Sequence, residues 1–545
     1  MRREPEEDFG NIEYKTKLID KDMSRIESLA TQMRFRCDEG HGEAIYVIGI
    51  TDSGKNVGLE EKEFEESFLN LSKAAKMNKY TLSILSKKSV DKKKYIYELL
   101  IREKNDSKYI DIKVAVAGQV DSGKSTLISV LTRGKNDDGR GSARLSVFNF
   151  RHEIVSGRTS SIAQHILGFD DKGNIINYLN SRDMHKKSWP EIVRESSKIV
   201  SFFDLCGHEK YLKTTIRGIT STFPDVCFII IGGNMGVSRT TREHIFLCTT
   251  LHIPFCIIVS KIDICKNRKK VFRETIRQIK SLLKLPGISR VPYKINTKDD
   301  VILSCKNIDT ESIAPIFYVS NVTGYGLNLV KTFLNLTKKT INNKGPNLDK
   351  VEMYIDTTFW VHGVGTVVGG QLLSGVIKIG DQLLLGPNQG KYVKVQVKSI
   401  HCKRVPMEEV TCGRYVCLAL KKIDRKNIRR GNVIIGLKGK QRAVWEFDAD
   451  VTVLKSHSTT IRPNYEPLIH TRSIRQTAKL IEISSKSDAR ITSKNIGKQI
   501  LRTGDKGRVK FRFLYRAEYI KPGYKILMAE GRVKIVGVIK NIFEK

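Results

Sequence analysis

The distribution of apolar residues divides the chain into an α/β first part and an all-β second part. Up to about residue 345, apolar runs such as VAVAG, FCIIV and PIFYV alternate with amphipathic helical stretches. That alternation predicts parallel strands with helices on both faces of a sheet. Beyond residue 345, short strands are separated by glycine turns in two successive series, which predicts two small β-barrels.

The same pattern predicts five segments along the chain. The first is a lead-in whose charged, mixed pattern predicts a loosely packed helix or an extended segment. A small α/β domain, a larger α/β domain and two barrels follow it. Their predicted boundaries are 1–42, 43–110, 111–345, 346–440 and 441–545.

Two glycine-rich turns carry the same pattern, Gly-x-x-Asp-Ser-Gly-Lys, in GITDSGKN at 49–56 and GQVDSGKS at 118–125. A phosphate-binding loop needs backbone N–H groups around the phosphates, a lysine that reaches them, and a hydroxyl that coordinates Mg²⁺. It also needs a helix N-terminus that is free to meet an anion. The two loops can therefore be ranked by the residues that follow each lysine.

Only the second loop meets all of these requirements. Ser125 and Thr126 follow Lys124, and the helix begins at once without an acidic residue. In the first loop Asn56 follows the lysine, and the next helix opens with glutamates that would repel a triphosphate. We therefore expect one nucleotide site, formed by Asp121, Ser122, Gly123, Lys124, Ser125 and Thr126.

Three further short motifs follow in order, each at the carboxyl end of a predicted strand, where ligands bind in open α/β sheets. In DLCG, Asp204 is expected to support Mg²⁺ through water, and the Gly207 N–H to meet a γ-phosphate. In SKID, Asp263 can accept hydrogen bonds from guanine N1–H and N2–H₂, a donor pair that adenine lacks. The Lys261 stem would cover the base, and backbone N–H groups at Ser320 and Asn321 would reach guanine O6.

Two assignments leave an alternative open. In the stretch GRTSS, Thr159 is expected to ligate Mg²⁺ with Ser125, although Ser161 competes for that role and the stretch could be a plain polar loop. His208 directly follows Gly207 and is expected to orient a water for attack on the γ-phosphate. A purely structural histidine is the alternative.

Charge and cysteine usage add information about partners and compartment. The chain has 95 Lys and Arg against 58 Asp and Glu, a net charge of +37, which favours a polyanionic partner. Compositional drift toward lysine is the alternative explanation. The ten cysteines contain no CxxC pair, which is typical of free thiols in a reducing compartment. No signal peptide and no apolar run of membrane-spanning length are visible, so we expect a cytoplasmic protein without membrane contact.

The motifs resemble those of a known family. GQVDSGKSTL, DLCGHEKYLKT and SKID are similar to the motifs of translational GTPases of the elongation factor Tu/1A superfamily. The leading domain with YVIGITDSGKNVGLEEKEFEESF, and the stretch NDDGRGSARLSVFNFRHEIVSGRTSSIAQHILGFD, resemble the GTP-binding protein 1/2 family within it. The resemblance covers residues 43–545.

This resemblance implies an α/β P-loop GTPase domain, preceded by a small α/β domain and followed by two β-barrels. It also implies a translation factor that uses GTP, GDP and Mg²⁺ and brings aminoacyl-tRNA to the ribosome. An adaptor for ribosome rescue, termination or RNA decay, carrying a protein instead of tRNA, is the alternative. A static RNA-binding protein is disfavoured because every catalytic element is present.

Two residues depart from the family pattern. Ser260 stands where most GTPases carry asparagine or threonine, which predicts a looser hold on the nucleotide. Arg158 stands where elongation factor Tu has an apolar residue that is thought to gate the catalytic histidine. The same gate is therefore not expected here.

Overall fold

The computed structural model places every α-helix of the described residues before residue 340. The described residues are 5–20, 22–103, 109–148, 153, 159, 162–178, 187–339, 350–454, 460–484, 500–529 and 533–544. The α-helices are α1 (Met23–Glu39), α2 (Glu61–Met77), α3 (Lys124–Arg133), α4 (Trp189–Glu195), α5 (Leu212–Thr222), α6 (Arg239–Leu251), α7 (Ile262–Cys265), α8 (Lys269–Leu283), α9 (Lys298–Asn307) and α10 (Leu327–Leu336).

The strands form four main sheets or barrels. They are β1 (Ile12–Lys15), β2 (Glu43–Ile48), β3 (Tyr80–Asp91), β4 (Lys94–Glu103), β5 (Ile110–Gly118), β6 (Ala163–Phe169), β7 (Lys198–Asp204), β8 (Val226–Gly232), β9 (Phe255–Ser260), β10 (Val291–Lys294), β11 (Ile313–Tyr318), β12 (Glu352–Val361), β13 (Gly365–Ser374), β14 (Val376–Lys378), β15 (Gln382–Asn388), β16 (Lys391–Cys402), β17 (Val405–Met407), β18 (Glu409–Thr411), β19 (Tyr415–Lys421), β20 (Val433–Gly436), β21 (Val444–Val453), β22 (Thr460–Ile461), β23 (Leu468–Thr471), β24 (Ile474–Ser484), β25 (Leu501–Arg502), β26 (Lys506–Phe513), β27 (Lys525–Ala529) and β28 (Val533–Glu544). The pairs β14–β18 and β22–β25 stand outside the main sheets.

The N-terminal segment is part of a folded domain, which differs from the predicted lead-in over 1–42. β1 pairs in parallel with β2, and the resulting sheet has the order β1-β2-β4-β3. α1 packs on it through Ile26, Leu29, Met33 and Cys37, which are all buried. These residues recur every three or four positions, as one face of a helix requires. The charged residues between them hid this stripe from the sequence analysis.

The larger α/β domain contains a seven-stranded sheet with the order β10-β11-β9-β8-β5-β7-β6. Only β6 runs antiparallel to its neighbour. Separate apolar clusters lie on the two faces of the sheet, packed under helices that include α3 on one face and α8 on the other. β5 and β7 are neighbours and β9 is separated from β5 by β8, so their carboxyl ends lie along the same edge of the sheet, which is where the sequence motifs are found.

The last two domains are closed six-stranded barrels. The first follows the ring β15-β20-β12-β13-β19-β16 and closes where β15 pairs with β16. The second follows the ring β21-β26-β24-β23-β27-β28 and closes where β28 pairs with β21. The predicted fold class, an α/β P-loop domain before two barrels, is therefore confirmed. No helix among the described residues combines the length and apolarity needed to cross a bilayer.

A buried ion network fixes the small N-terminal domain to the larger α/β domain. Glu43 of the small domain binds Arg102 and, across the interface, Lys198 of β7 at 2.9 Å. Arg102 also donates to the Asn335 side chain at 2.8 Å. Buried charges are tolerated when each is paired and hydrogen-bonded, as they are here. The small domain is therefore a fixed part of the body that carries the site.

Candidate nucleotide site

A cavity lies at the carboxyl edge of the seven-stranded sheet, beside the ends of β5 and β7. It brings together most of the predicted phosphate-side residues, which come from separate parts of the sequence. The cavity is lined by Val120, Asp121, Gly123, Lys124, Ser125, Thr126, Arg144, Thr159, Gly207 and His208. The arrangement can surround a chain of phosphates with one buried ammonium, several hydroxyls and a helix N-terminus.

The loop between β5 and α3 has the backbone geometry that phosphate binding requires. Gly118 has φ of +147°, and a Cβ there would lie 2.3 Å from the carbonyl oxygen of Ile230. α3 begins at Lys124 without an acidic residue in its first turn. The Lys124 ammonium is buried and donates to the carbonyl of Gln119 at 2.8 Å. Burial lowers the pKa of Lys124, so an anion in the cavity would stabilise its charged form.

Three oxygen-bearing side chains meet beside the lysine. Ser125 Oγ donates to Asp204 Oδ2 at 2.5 Å, and Thr159 Oγ1 lies 3.0 Å from Ser125 Oγ. Asp204 Oδ1 is buried without a hydrogen-bond partner among the described residues, and burial raises the pKa of Asp204. A hard divalent cation takes oxygen ligands of this kind, so the donor set fits Mg²⁺.

Thr159 is the residue of the GRTSS stretch that the structure places at this cluster, and it is buried. Its hydroxyl also lies 3.3 Å from Asp204 Oδ2. Ser161 and Arg158 lie outside the described residues. The position of Thr159 is therefore compatible with the predicted Mg²⁺ role.

The base-reading residues lie on the opposite side of the phosphate loop. Ser320 Oγ donates to Asp263 Oδ1 at 2.7 Å, which orients the carboxylate. Lys261 precedes α7 in the left-handed region with φ of +60°. The Asn321 Nδ2 atom would lie 3.6 Å from a Cβ built at Gly123, so this residue borders both the base side and the phosphate loop. Ser320 and Asn321 are both buried.

Ser260 braces the phosphate loop. Its hydroxyl donates to the Ser122 carbonyl at 2.6 Å, and both residues are fully buried. The expectation of a looser hold on the nucleotide assumed that serine leaves this brace unmade. The structure removes that reason, because the shorter side chain reaches the loop carbonyl directly.

Gly207 and His208 close the phosphate end of the cavity. A Cβ at Gly207 would lie 2.3 Å from the Lys124 ammonium, so a side chain there would push into the lysine. His208 Nδ1 accepts a hydrogen bond from the Lys210 N–H at 3.1 Å. In the neutral ring this leaves the proton on Nε2. His208 can therefore donate through Nε2 to a water or a phosphate oxygen.

The first glycine loop is a tight turn with no comparable surroundings. The Thr51 N–H donates to the Lys55 carbonyl, and the Lys55 N–H donates back to Thr51 Oγ1, both at 3.1 Å. The Lys55 side chain is exposed. Glu63 accepts from the Glu60 N–H at the start of α2, so the helix N-terminus is capped by its own carboxylate. Among the described residues, the second loop lines the cavity and the first does not, and the single nucleotide site stays a prediction.

The sequence analysis missed Arg144. It lies in the glycine-rich stretch that begins NDDGRGSARL, which carries part of the resemblance to the family but matches none of the nucleotide-binding motifs. Its side chain nevertheless lines the cavity beside Asp121. The position of Arg144 depends on how residues 134–148 pack against the phosphate loop. The spacing of the nucleotide-binding motifs does not predict that packing.

Asp263→Asn is expected to move base preference from guanine toward xanthine. The change replaces an acceptor oxygen by a donor NH₂, which suits the xanthine carbonyl that stands where guanine has an amine. We expect the affinity for GTP to fall roughly 10- to 100-fold and that for xanthosine triphosphate to rise. Competition between the two nucleotides for wild type and variant measures both changes. ATP binding by the wild type as tight as GTP binding would contradict the assignment.

Comparisons with known proteins agree with the geometry. A family model described as the elongation factor Tu GTP-binding domain matches residues 111–357. A second model, elongation factor Tu domain 2, matches residues 365–435. Both matches fall on the domains that the site and the first barrel occupy.

Similar proteins extend the match to nearly the whole chain. GTP-binding protein 1 of Xenopus laevis is 41% identical over 538 residues, which cover 98% of this chain and 79% of that protein. GTP-binding protein 2 of Homo sapiens is 40% identical over 548 residues, covering 99% of this chain and 88% of that protein. The solved translation elongation factor SelB of Methanococcus maripaludis, in complex with the GTP analogue GppNHp, has a TM-score of 0.55 at 19% identity and 80% coverage of both chains. At that identity the SelB likeness shows the fold.

Proposed function

The chain belongs to the GTP-binding protein 1/2 family of translational GTPases, and on that premise we propose that it carries aminoacyl-tRNA to the ribosome in the cytoplasm, using Mg²⁺ and GTP. Membership confirms the predicted resemblance, and the chain is a GTP-hydrolysing enzyme that binds GTP and GDP. One observation carries the part of the proposal that concerns cargo release: the helix that follows Gly207 and His208 is ion-paired to the first barrel.

That contact runs from α5 to β12. Arg217 donates to Asp356 Oδ1 at 2.5 Å and to the Asp356 carbonyl at 3.0 Å, and both side chains are largely buried. α5 begins four residues after His208, so a change at the γ-phosphate would reach the start of this helix through a short segment. A barrel held by the helix can thereby respond to GTP and to GDP differently, which is what release of a cargo after hydrolysis requires.

The phosphate side of the site has a division of roles. Lys124 neutralises phosphate charge, and the Gly207 N–H meets the γ-phosphate. Ser125 and Thr159 would ligate Mg²⁺, and Asp204 would support it through water. Bound Mg²⁺ would neutralise charge on the β- and γ-phosphate oxygens. His208 holds the attacking water, which is a positioning role, because Nε2 carries the proton.

The base side selects guanine. The Asp263 carboxylate, oriented by Ser320, accepts from guanine N1–H and N2–H₂. The Lys261 stem covers the base, and the backbone at Ser320 and Asn321 reaches O6. Ser260 ties this side to the phosphate loop through Ser122.

The net charge of the chain favours a polyanionic cargo. It is +37, which suits a nucleic acid better than a neutral protein surface. The row of cations on the outer face of β26 adds little to this argument, because Arg508 pairs with Asp450, and Lys510 and Arg512 both pair with Glu446.

The proposal is tested by equilibrium binding of the purified protein to aminoacylated and uncharged tRNA, with a non-hydrolysable GTP analogue and with GDP. We expect tight binding only for aminoacylated tRNA with the GTP analogue, and protection of its ester bond from spontaneous deacylation. We also expect affinity to fall steeply with salt, because each phosphate contact releases counterions.

Two outcomes would overturn this cargo. Equal, weak binding of both tRNA forms in both nucleotide states would leave the charged barrels without the proposed ligand. Flat salt dependence from low to physiological ionic strength would indicate a protein cargo. Either result would favour an adaptor that serves ribosome rescue, termination or RNA decay.

A further inference from the structure

Arg144 is a cation at the nucleotide cavity that the proposed mechanism does not use. It lines the cavity together with Lys124, Thr159, Gly207 and His208. Of these, Gly207 is assigned to the γ-phosphate and His208 to the attacking water, while Lys124 neutralises phosphate charge and Thr159 is assigned to Mg²⁺. A guanidinium among them faces the place where the negative charge of GTP is greatest.

The backbone that carries Arg144 is tightly organised. The Asp137 carboxylate accepts from the N–H groups of Gly139, Gly141 and Ala143 at 2.9 to 3.1 Å. The Asp137 N–H donates to the carbonyl of Asn321 at 2.8 Å, which ties the segment 137–147, called the arm from here on, to the base side. The arm is therefore fixed at its start to the same site that Arg144 enters.

The other end of the arm is fixed to the helix of the phosphate loop. Ser146 Oγ lies 2.8 Å from Ser129 Oγ of α3, and Val147 is buried in the core. Arg144 stands between these anchors on a single turn of 3₁₀-helix, Ala143–Ser146. A backbone held on both sides in this way loses little conformational entropy when the side chain that it carries binds a ligand.

The side chain itself is only weakly engaged. Arg144 Nη1 lies 3.8 Å from Asp121 Oδ1, and the two side chains are 32% and 55% exposed. Ion pairs this exposed contribute little to stability. Arg144 Nε is buried and has no acceptor among the described residues. A Cβ at Gly141 would lie 2.9 Å from Nε, so glycine leaves the room that the guanidinium needs.

We propose that Arg144 binds the γ-phosphate of GTP, as an arginine supplied from within the chain. The guanidinium leaves its weak contact with Asp121 and donates to phosphate oxygens. Its planar group can donate two parallel hydrogen bonds to one phosphate, which the ammonium of a lysine cannot do. This inference rests on the phosphate site proposed at residues 118–126. It adds a residue that distinguishes GTP from GDP.

The test is calorimetric binding of a non-hydrolysable GTP analogue and of GDP to the full-length wild type and to R144A, R144K and R140A. We expect R144A to lose roughly 10- to 100-fold in affinity for the GTP analogue. Affinity for GDP should change by less than about threefold. R144K should recover part of the lost affinity for the GTP analogue, because it restores the positive charge without the bidentate hydrogen bonding of a guanidinium.

Arg140 is the matched control, because it is an exposed arginine on the same arm. Its backbone N–H donates to the Asp138 carboxylate, and that contact does not involve the side chain. R140A should bind both nucleotides as the wild type does. Unchanged affinity of R144A for the GTP analogue would overturn the proposal, and so would an equal loss for both nucleotides. K124A is measured alongside to tell a failure of the Arg144 proposal from a failure of the phosphate site. If K124A still bound nucleotide, the phosphate site itself would be overturned.

Discussion

K124A is expected to abolish nucleotide binding, whereas K55A is expected to leave it unchanged. Lys124 is buried at the start of α3, with its ammonium beside the Gly207 backbone and the Mg²⁺-type cluster of Ser125 and Asp204. Removing this buried cation leaves the phosphates without their main charge partner. We expect a loss of at least roughly 100-fold in affinity for GTP and for GDP.

The two lysines make an unusually well-matched pair of variants, because each ends the same Gly-x-x-Asp-Ser-Gly-Lys pattern. Lys55 is exposed, and the helix after it is capped by Glu63. Calorimetric titration with GDP gives both affinity and stoichiometry, and we expect one nucleotide per chain for wild type and K55A. Loss of half the bound nucleotide in K55A would contradict the assignment of a single site.

Most of this site could be predicted because its determinants are local in sequence. Lys124 is followed by Ser125 and Lys55 by Asn56, and this difference, with the acidic residues that open the helix after Lys55, separates the two loops. Asp204 and Asp263 follow apolar runs that form buried parallel strands. Since such strands end at one edge of a sheet, residues far apart in sequence could be expected to meet there.

The remaining features depend on contacts that no local pattern encodes. α1 lies within a highly charged stretch, and its buried stripe becomes clear only when it packs on β2 and β4. Ser260 differs from the usual residue type, and only the position of the Ser122 carbonyl decides that serine reaches it. Arg144 enters the cavity because its arm is tied to Asn321 and Ser129, which come from two other segments.

H208A is expected to bind GTP and aminoacyl-tRNA as the wild type does, yet to lose most of its ribosome-stimulated hydrolysis. His208 makes no contact with Ser125, Thr159 or Asp263 among the hydrogen bonds of the described residues. Its ring is held instead by the Lys210 N–H. A positioned group of this kind contributes at least roughly 100-fold to the rate, equivalent to about 3 kcal/mol in the barrier.

Single-turnover hydrolysis with saturating ribosomes measures that step directly, because it excludes nucleotide exchange and product release. H208Q is the matched variant: its amide keeps a donor that can hold a water, so we expect it to recover part of the lost rate. A general base would behave differently, since an amide cannot take a proton and glutamine would then be as inactive as alanine. Hydrolysis by H208A at the wild-type rate would assign the attacking water to another group and would separate this enzyme from the expected chemistry of its family.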